Sequence, residues 1–146
     1  MADPAVERQM PSVLVVDDDR EIRASLRKLL TEEGFDVVGE AADGPSAVAL
    51  VRSHVPEVVM MDMRMPRLDG IDATQLIRAE HPEVQVVVFT AYGDEAIRRE
   101  AQSMGVHSYL VKGCPPGVIF GALHRAAEVG RADDRSRWWL GSPEGR

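Results

Sequence analysis

Cysteine is nearly absent: Cys114 stands alone in 146 residues. No intramolecular disulfide can form, so the fold has to rest on a packed core, and this cysteine usage fits a reducing compartment. Long apolar runs are also missing. The uninterrupted ones, Val13–Val16 and Val58–Met61 among them, are short, far below the ~20 residues that a membrane helix needs. The N-terminus, Met1 to Arg8, has no apolar stretch of the kind a secretory signal carries. Positive charge is in the minority. Seventeen Lys and Arg face 24 Asp and Glu, for a net charge of −7, which argues against direct nucleic-acid binding, a function of clustered cations. These absences leave one cytoplasmic domain without a membrane segment. A chain of this length buries roughly 68–70% of its unfolded surface and so holds a core without staples.

What is present is an alternation. Short valine-rich runs, Ser12–Asp17, Phe35–Ala41, Glu57–Met61, Val84–Thr90 and His107–Val111, are separated by helical patterns. Three of the runs are apolar at nearly every position, the mark of parallel strands covered on both faces. Asp19–Glu33 carries the stripe Ile22, Leu26, Leu29 and Leu30, and Gly34 follows it as a stop. Further helices are expected over Pro45–His54, Ile71–His81, Asp94–Met104 and Pro115–Gly130, with the weakest stripe on Asp94–Met104. Strand and helix alternate five times, which predicts an α/β fold with right-handed crossovers and helices on both faces of a parallel sheet. Residues 1–10 read as a polar leader, 11–131 as the domain, and 132–146 as a polar tail interrupted by Trp138 and Trp139.

In open α/β sheets ligands bind beyond the carboxyl ends of the strands, so the residues that end each run are the candidates. The first run ends in Asp17-Asp18-Asp19, the third in Asp62, the fourth in Thr90 and the fifth in Lys112. The second ends in Glu40-Ala41-Ala42, with no comparable polar terminus. Carboxylates brought that close repel one another unless a cation joins them. Hard oxygen ligands of this type suit Mg²⁺. A carboxylate can also attack a phosphoryl group, while a hydroxyl and an ammonium hydrogen-bond and neutralise its oxygens. The plainer alternative makes Asp18 or Asp19 a helix N-cap only. The four histidines, His54, His81, His107 and His124, have no metal-ligand spacing.

VLVVDDDREIR, VVMMDMRMPRLDG, VVVFTAYGDEA and HSYLVKG together resemble the receiver domain of two-component response regulators, over about residues 11–130. The resemblance implies a flavodoxin-like doubly wound sheet of strand order 2-1-3-4-5. By position, Asp62 resembles the phospho-accepting aspartate, supplied by the phosphohistidine of a sensor histidine kinase. Asp18 matches the direct Mg²⁺ ligand, Asp17 its acidic partner, and Arg64 the residue whose backbone carbonyl completes the protein ligands. Thr90 matches the switch hydroxyl, Lys112 the lysine that pairs with the phosphoryl group, and Tyr109 the aromatic that changes rotamer. Arg64 and Tyr92 occupy the positions that tune phosphate lifetime. Met65-Pro66 and Asp69-Gly70 fit the turn after the acceptor. Gly113 follows Lys112 where most members have proline, as in the subgroup that carries a DNA-binding helix-turn-helix. The resemblance further implies a switch built from the fourth strand, fourth helix and fifth strand. It also implies a phosphorylation-dependent homodimer through the face formed by the fourth helix, fifth strand and fifth helix.

Three alternatives stand beside this signalling function. One is a fragment of a DNA-binding transcription regulator, for whose helix-turn-helix domain 132–146 is too short. Another is a haloacid-dehalogenase-like phosphatase, but Asp17-Asp18-Asp19-Arg20-Glu21 lacks the Thr or Val of that class's motif. The third, a scaffold indifferent to phosphate, leaves the polar strand ends without a role.

Overall fold

The computed structural model describes residues 10–65, 70–91, 93 and 95–140, the side chains of 133–140 excepted. The leader apart from Met10, the 66–69 segment, Tyr92, and the Trp138 and Trp139 side chains lie outside what is described.

Strands β1 (Ser12–Val16), β2 (Asp36–Ala41), β3 (Val58–Met61), β4 (Gln85–Thr90) and β5 (Ser108–Val111) alternate with five helices. These are α1 (Arg20–Glu33), α2 (Gly44–His54), α3 (Gly70–Glu80), α4 (Glu95–Ser103) and α5 (Pro116–Leu140). All strand pairs are parallel, in the order β2-β1-β3-β4-β5, as the alternation and the resemblance predict. The near-continuous apolar runs are explained by burial on both faces. Leu14, Val16, Val59, Met61, Val86 and Val88 pack in one core with Ala47 and Val51 of α2, Ala73 and Ile77 of α3, and Ala101 of α4. Their neighbours Val13, Val15, Val58, Met60, Val87 and Phe89 point the other way, into a core with Leu26 and Leu30 of α1 and Ile119, Ala122 and Leu123 of α5. The period-2 alternation of a strand thus serves two cores from one sheet.

Local signals fix the helix ends. Asp19 caps α1, its carboxylate accepting from the amides of Glu21 (2.9 Å) and Ile22 (3.3 Å). Gly34 ends that helix at φ 106°, a left-handed conformation that disfavours a side chain. Asp43 caps α2 through the amide of Ser46 at 2.9 Å. The expectation for the last helix needs correction. Gly130 does not stop α5, which runs on to Leu140 and takes in the first part of the tail. A Cβ at Gly130 would stand 2.6 Å from the Glu83 carbonyl oxygen. The glycine lets the helix cross the loop before β4, and Arg131 then forms a bidentate pair with Glu57, one bond of which is 3.0 Å.

Helix α4 buries only Ala101 fully, in line with its weak stripe, and β5, like β2 at the other edge, is partly exposed. Among the described residues no helix is long and apolar enough to cross a membrane.

Candidate functional site

Parallel pairing brings the carboxyl ends of β1, β3, β4 and β5 to one edge. Val16 pairs with Met61, Met61 with Val88, and Thr90 with Val111. The residues just past those ends are Asp17, Asp62 and Lys112, with Thr90 as the last residue of β4. Backbone bonds tie the edge together: Asp17 N–H donates to Ala41 O (3.0 Å), Asp62 N–H to Val16 O (3.0 Å), and Lys112 N–H to Thr90 O (2.7 Å).

Asp17 and Asp62 are buried and Asp18 is exposed, yet each contributes a carboxylate oxygen to a group whose members all lie within 4.8 Å of one another. Lys112 Nζ reaches both buried carboxylates, at 2.7 Å from Asp17 Oδ2 and 3.2 Å from Asp62 Oδ2. The second oxygen of Asp17 accepts from the Asp19 amide (2.9 Å), and that of Asp62 from the Arg64 amide (3.1 Å). Burial pushes the Asp62 carboxyl above its ordinary range. The Arg64 amide and the Lys112 charge work against this, and the Asp17 charge adds to it. For Lys112, burial alone pulls downward. The hydrogen bond to Asp17 and the charges of Asp62 and Asp17 outweigh it, so the ammonium is held above its usual value.

Three carboxylates against one ammonium leave a net negative site, which fits a divalent cation. The oxygens are close enough to share one small ion, and exposed Asp18 leaves the solvent side open for water or phosphate, as Mg²⁺ prefers. Thr90, 1% exposed, ends β4 beside this group. Tyr109 is half-buried against the core on the α4 side, and the Arg98 guanidinium carbon lies 5.6 Å from its ring centroid. Gly113, just past Lys112, has φ 101°, a conformation that proline cannot adopt. The edge therefore turns into α5 by a different backbone path from a Lys-Pro ending.

Asp17, Asp18, Asp62 and Lys112 are brought together. Asp19 is not part of the group, because its carboxylate caps α1. The Arg64 side chain is exposed, its amide serving Asp62. Tyr92 lies outside the described residues. Sequence reasoning missed Glu40 and Arg23. Glu40 accepts from Arg23 Nε (3.3 Å) and Arg27 Nη1 (3.0 Å), and Arg23 Nη1 donates to the Asp17 carbonyl oxygen at 2.7 Å. The available signal was a pair of arginines four apart, hence on one helix face, facing a lone carboxylate near the end of a half-covered strand.

A groove of about 420 Å³ opens beside the site between α1 and α5. Ile22, Leu26, Leu29, Phe89 and Ile119 line it, and Lys112 stands at its rim with Asp19.

The chain matches the response regulator receiver domain over residues 13–124. It is 43% identical over 111 residues to the transcriptional regulatory protein PdtaR of Mycobacterium tuberculosis, a match covering 76% of this chain and 52% of that protein. It spans about half the length of that relative. It is 34% identical over 116 residues to the chemotaxis protein CheY of Thermotoga maritima, covering 80% of this chain and 97% of that one. Among solved structures it resembles the CheX–CheY–BeF₃–Mg²⁺ complex of Borrelia burgdorferi (TM-score 0.76, 27% identity, 82% of this chain and 92% of that one). With four polar strand ends gathered at one sheet edge and these relatives sharing its fold, the chain belongs to the response regulator receiver domain family.

Proposed function

We propose that this receiver accepts a phosphoryl group on Asp62 from the phosphohistidine of a sensor histidine kinase and answers by changing its protein contacts. The observation that carries this is Asp62 itself. It is a buried carboxylate at a sheet edge, with one oxygen on an amide and the other on Lys112, inside a group of three acids. In the transfer, an Asp62 oxygen bonds to phosphorus as the phosphorus–nitrogen bond breaks, and the bonding pair leaves with the imidazole nitrogen. Asp17, Asp18, Asp62 and the Arg64 backbone carbonyl would hold Mg²⁺, which when bound offsets charge on the phosphoryl oxygens. Lys112, kept protonated by its acidic neighbours, swings from carboxylate to phosphoryl oxygen, and the Thr90 hydroxyl donates to another. The beryllofluoride and Mg²⁺ named for the Borrelia complex are a phosphoryl mimic and its cation, which supports the same chemistry here. The chain acts as a signalling acceptor and has no turnover substrate of its own beyond small phosphodonors and its own acyl phosphate.

The apolar groove beside Lys112 suits the donor's histidine-bearing helix. Sparsely packed α4, with Tyr109 and 42%-exposed Val111 on β5, suits the output, including a phosphorylation-dependent homodimer through α4, β5 and α5. A second role is favoured by one finding. The chain spans about half of a relative named as a transcriptional regulator, which fits the same receiver serving as the input of a DNA-binding regulator.

The direct test is incubation with acetyl phosphate and Mg²⁺. The expected product carries one phosphoryl mass, is lost in base, and maps to Asp62 after borohydride reduction. No adduct, or one on another residue, overturns the proposal. Tyr92 and Arg64 set the lifetime of that adduct by limiting the approach of water. Tyr92→Ala is expected to speed loss of the label by about fivefold, a change of about 1 kcal/mol in barrier, followed as phosphate release. An unchanged rate would remove Tyr92 from that role.

A further inference from the structure

Arg23 joins three parts of the fold behind the acidic group. Its Nη1 donates to the Asp17 carbonyl oxygen at 2.7 Å, while Nε donates to Glu40 Oε1 on β2 at 3.3 Å. Its side chain is 16% exposed, so these bonds are shielded from water. Glu40 is held in turn by Arg27. The Asp17 carbonyl belongs to the peptide that leads into Asp18. Its orientation therefore sets where the Asp18 carboxylate starts, and Asp18 is the exposed member of the group, with the least around it to position it. A charged donor fixed at both ends pins this peptide more firmly than water would. Because Arg23 bonds the carbonyl and leaves the carboxylates alone, it orients them without competing for a cation.

We propose that Arg23, aimed by Glu40, is a positioning residue for Mg²⁺, presenting the Asp17 and Asp18 carboxylates to a common ion. This rests on the proposal above that the group takes Mg²⁺. Groups that orient ligands from behind typically change metal affinity 10–100-fold when removed.

The test is calorimetric titration of the full chain with MgCl₂, with amide NMR shifts of Asp17 to Asp19 recorded alongside. Arg23→Met is expected to weaken Mg²⁺ binding about tenfold and to shift those amides before any metal is added. Glu40→Gln, which leaves Arg23 in place but unaimed, should give a smaller change in the same direction. Arg23→Lys should recover part of the loss, since one ammonium can reach the carbonyl but cannot also span to Glu40. Arg27→Gln, which removes a Glu40 partner without touching Asp17, should stay within about twofold of the parent, well below the 10–100-fold range of such orienting groups. If Arg23→Met proves too unstable to titrate, Glu40→Gln and Arg23→Lys carry the test. Parent-like affinity in the Arg23 and Glu40 variants overturns this inference alone. A parent chain that binds no Mg²⁺ overturns the proposed function and this inference with it.

Discussion

Asp62→Asn is expected to abolish labelling by acetyl phosphate, a fall of at least ~100-fold to background, because the amide that remains is no nucleophile. The same substitution should make the Mg²⁺-free protein more stable. Asp62 is pushed above the ordinary carboxylate range by burial, and by Asp17, against the opposing pull of the Arg64 amide and Lys112. An acid whose folded value lies above its unfolded value opposes folding when ionised. That penalty is present at neutral pH, shrinks once the pH falls below the raised Asp62 value, and is gone below the ordinary carboxylate value. Asp62→Asn removes it, while Lys112 keeps its 2.7 Å partner Asp17. Melting without Mg²⁺ at about pH 7.5 should rise by a few degrees, on the order of 1 kcal/mol. At about pH 4, near the ordinary carboxylate value, parent and variant should converge. Melting curves at the two pH values check this, and a variant less stable at neutral pH would contradict the strain assigned to Asp62.

Gly70→Ala should damage the site from outside it. Gly70 opens α3, and a Cβ there would stand 2.1 Å from the Asp62 carbonyl oxygen and 2.6 Å from the Met63 Cα. Both neighbours are backbone, so no side chain can move aside. The Gly70 amide also bonds the Met63 carbonyl at 3.3 Å, which keeps the helix against the acceptor loop. The added methyl has to push α3 away or drag Asp62 from its place. Overpacking of this kind costs typically 1–3 kcal/mol, and about 3 kcal/mol is expected here by denaturant melting. A displacement of about 1 Å at a reacting group can cost ~100-fold. Acetyl phosphate labelling at saturating Mg²⁺ should therefore fall by about that factor in the protein that remains folded. A variant with parent stability and labelling would show that this close approach does not constrain Asp62.

Much of the fold was legible because its signals are local. Valine runs buried on both faces and a helix stop such as Gly34 are written in adjacent residues, and together they predict the five-fold alternation. The candidate residues were legible for a related reason, since in a parallel sheet every strand ends at the same edge. Asp17, Asp62, Thr90 and Lys112 could be gathered from four distant segments without coordinates. Gly130 misled because one residue type has two physical uses. A glycine that ends a helix and a glycine that lets a helix lie against a carbonyl look alike in a sequence, and only the neighbouring Glu83 oxygen separates them.

The sequence by itself determined the element order, the two-sided burial of the central strands and the polar chemistry gathered at their ends. Each of these follows from periodicity and from the geometry common to parallel sheets. Tertiary structure alone decided which carboxylate joins the cluster and which caps a helix. It also brought Lys112 between Asp17 and Asp62, and placed Arg23 and Glu40 behind them. Those contacts join residues as far as 95 positions apart, Asp17 to Lys112, set by how the elements pack, and no local pattern carries that distance.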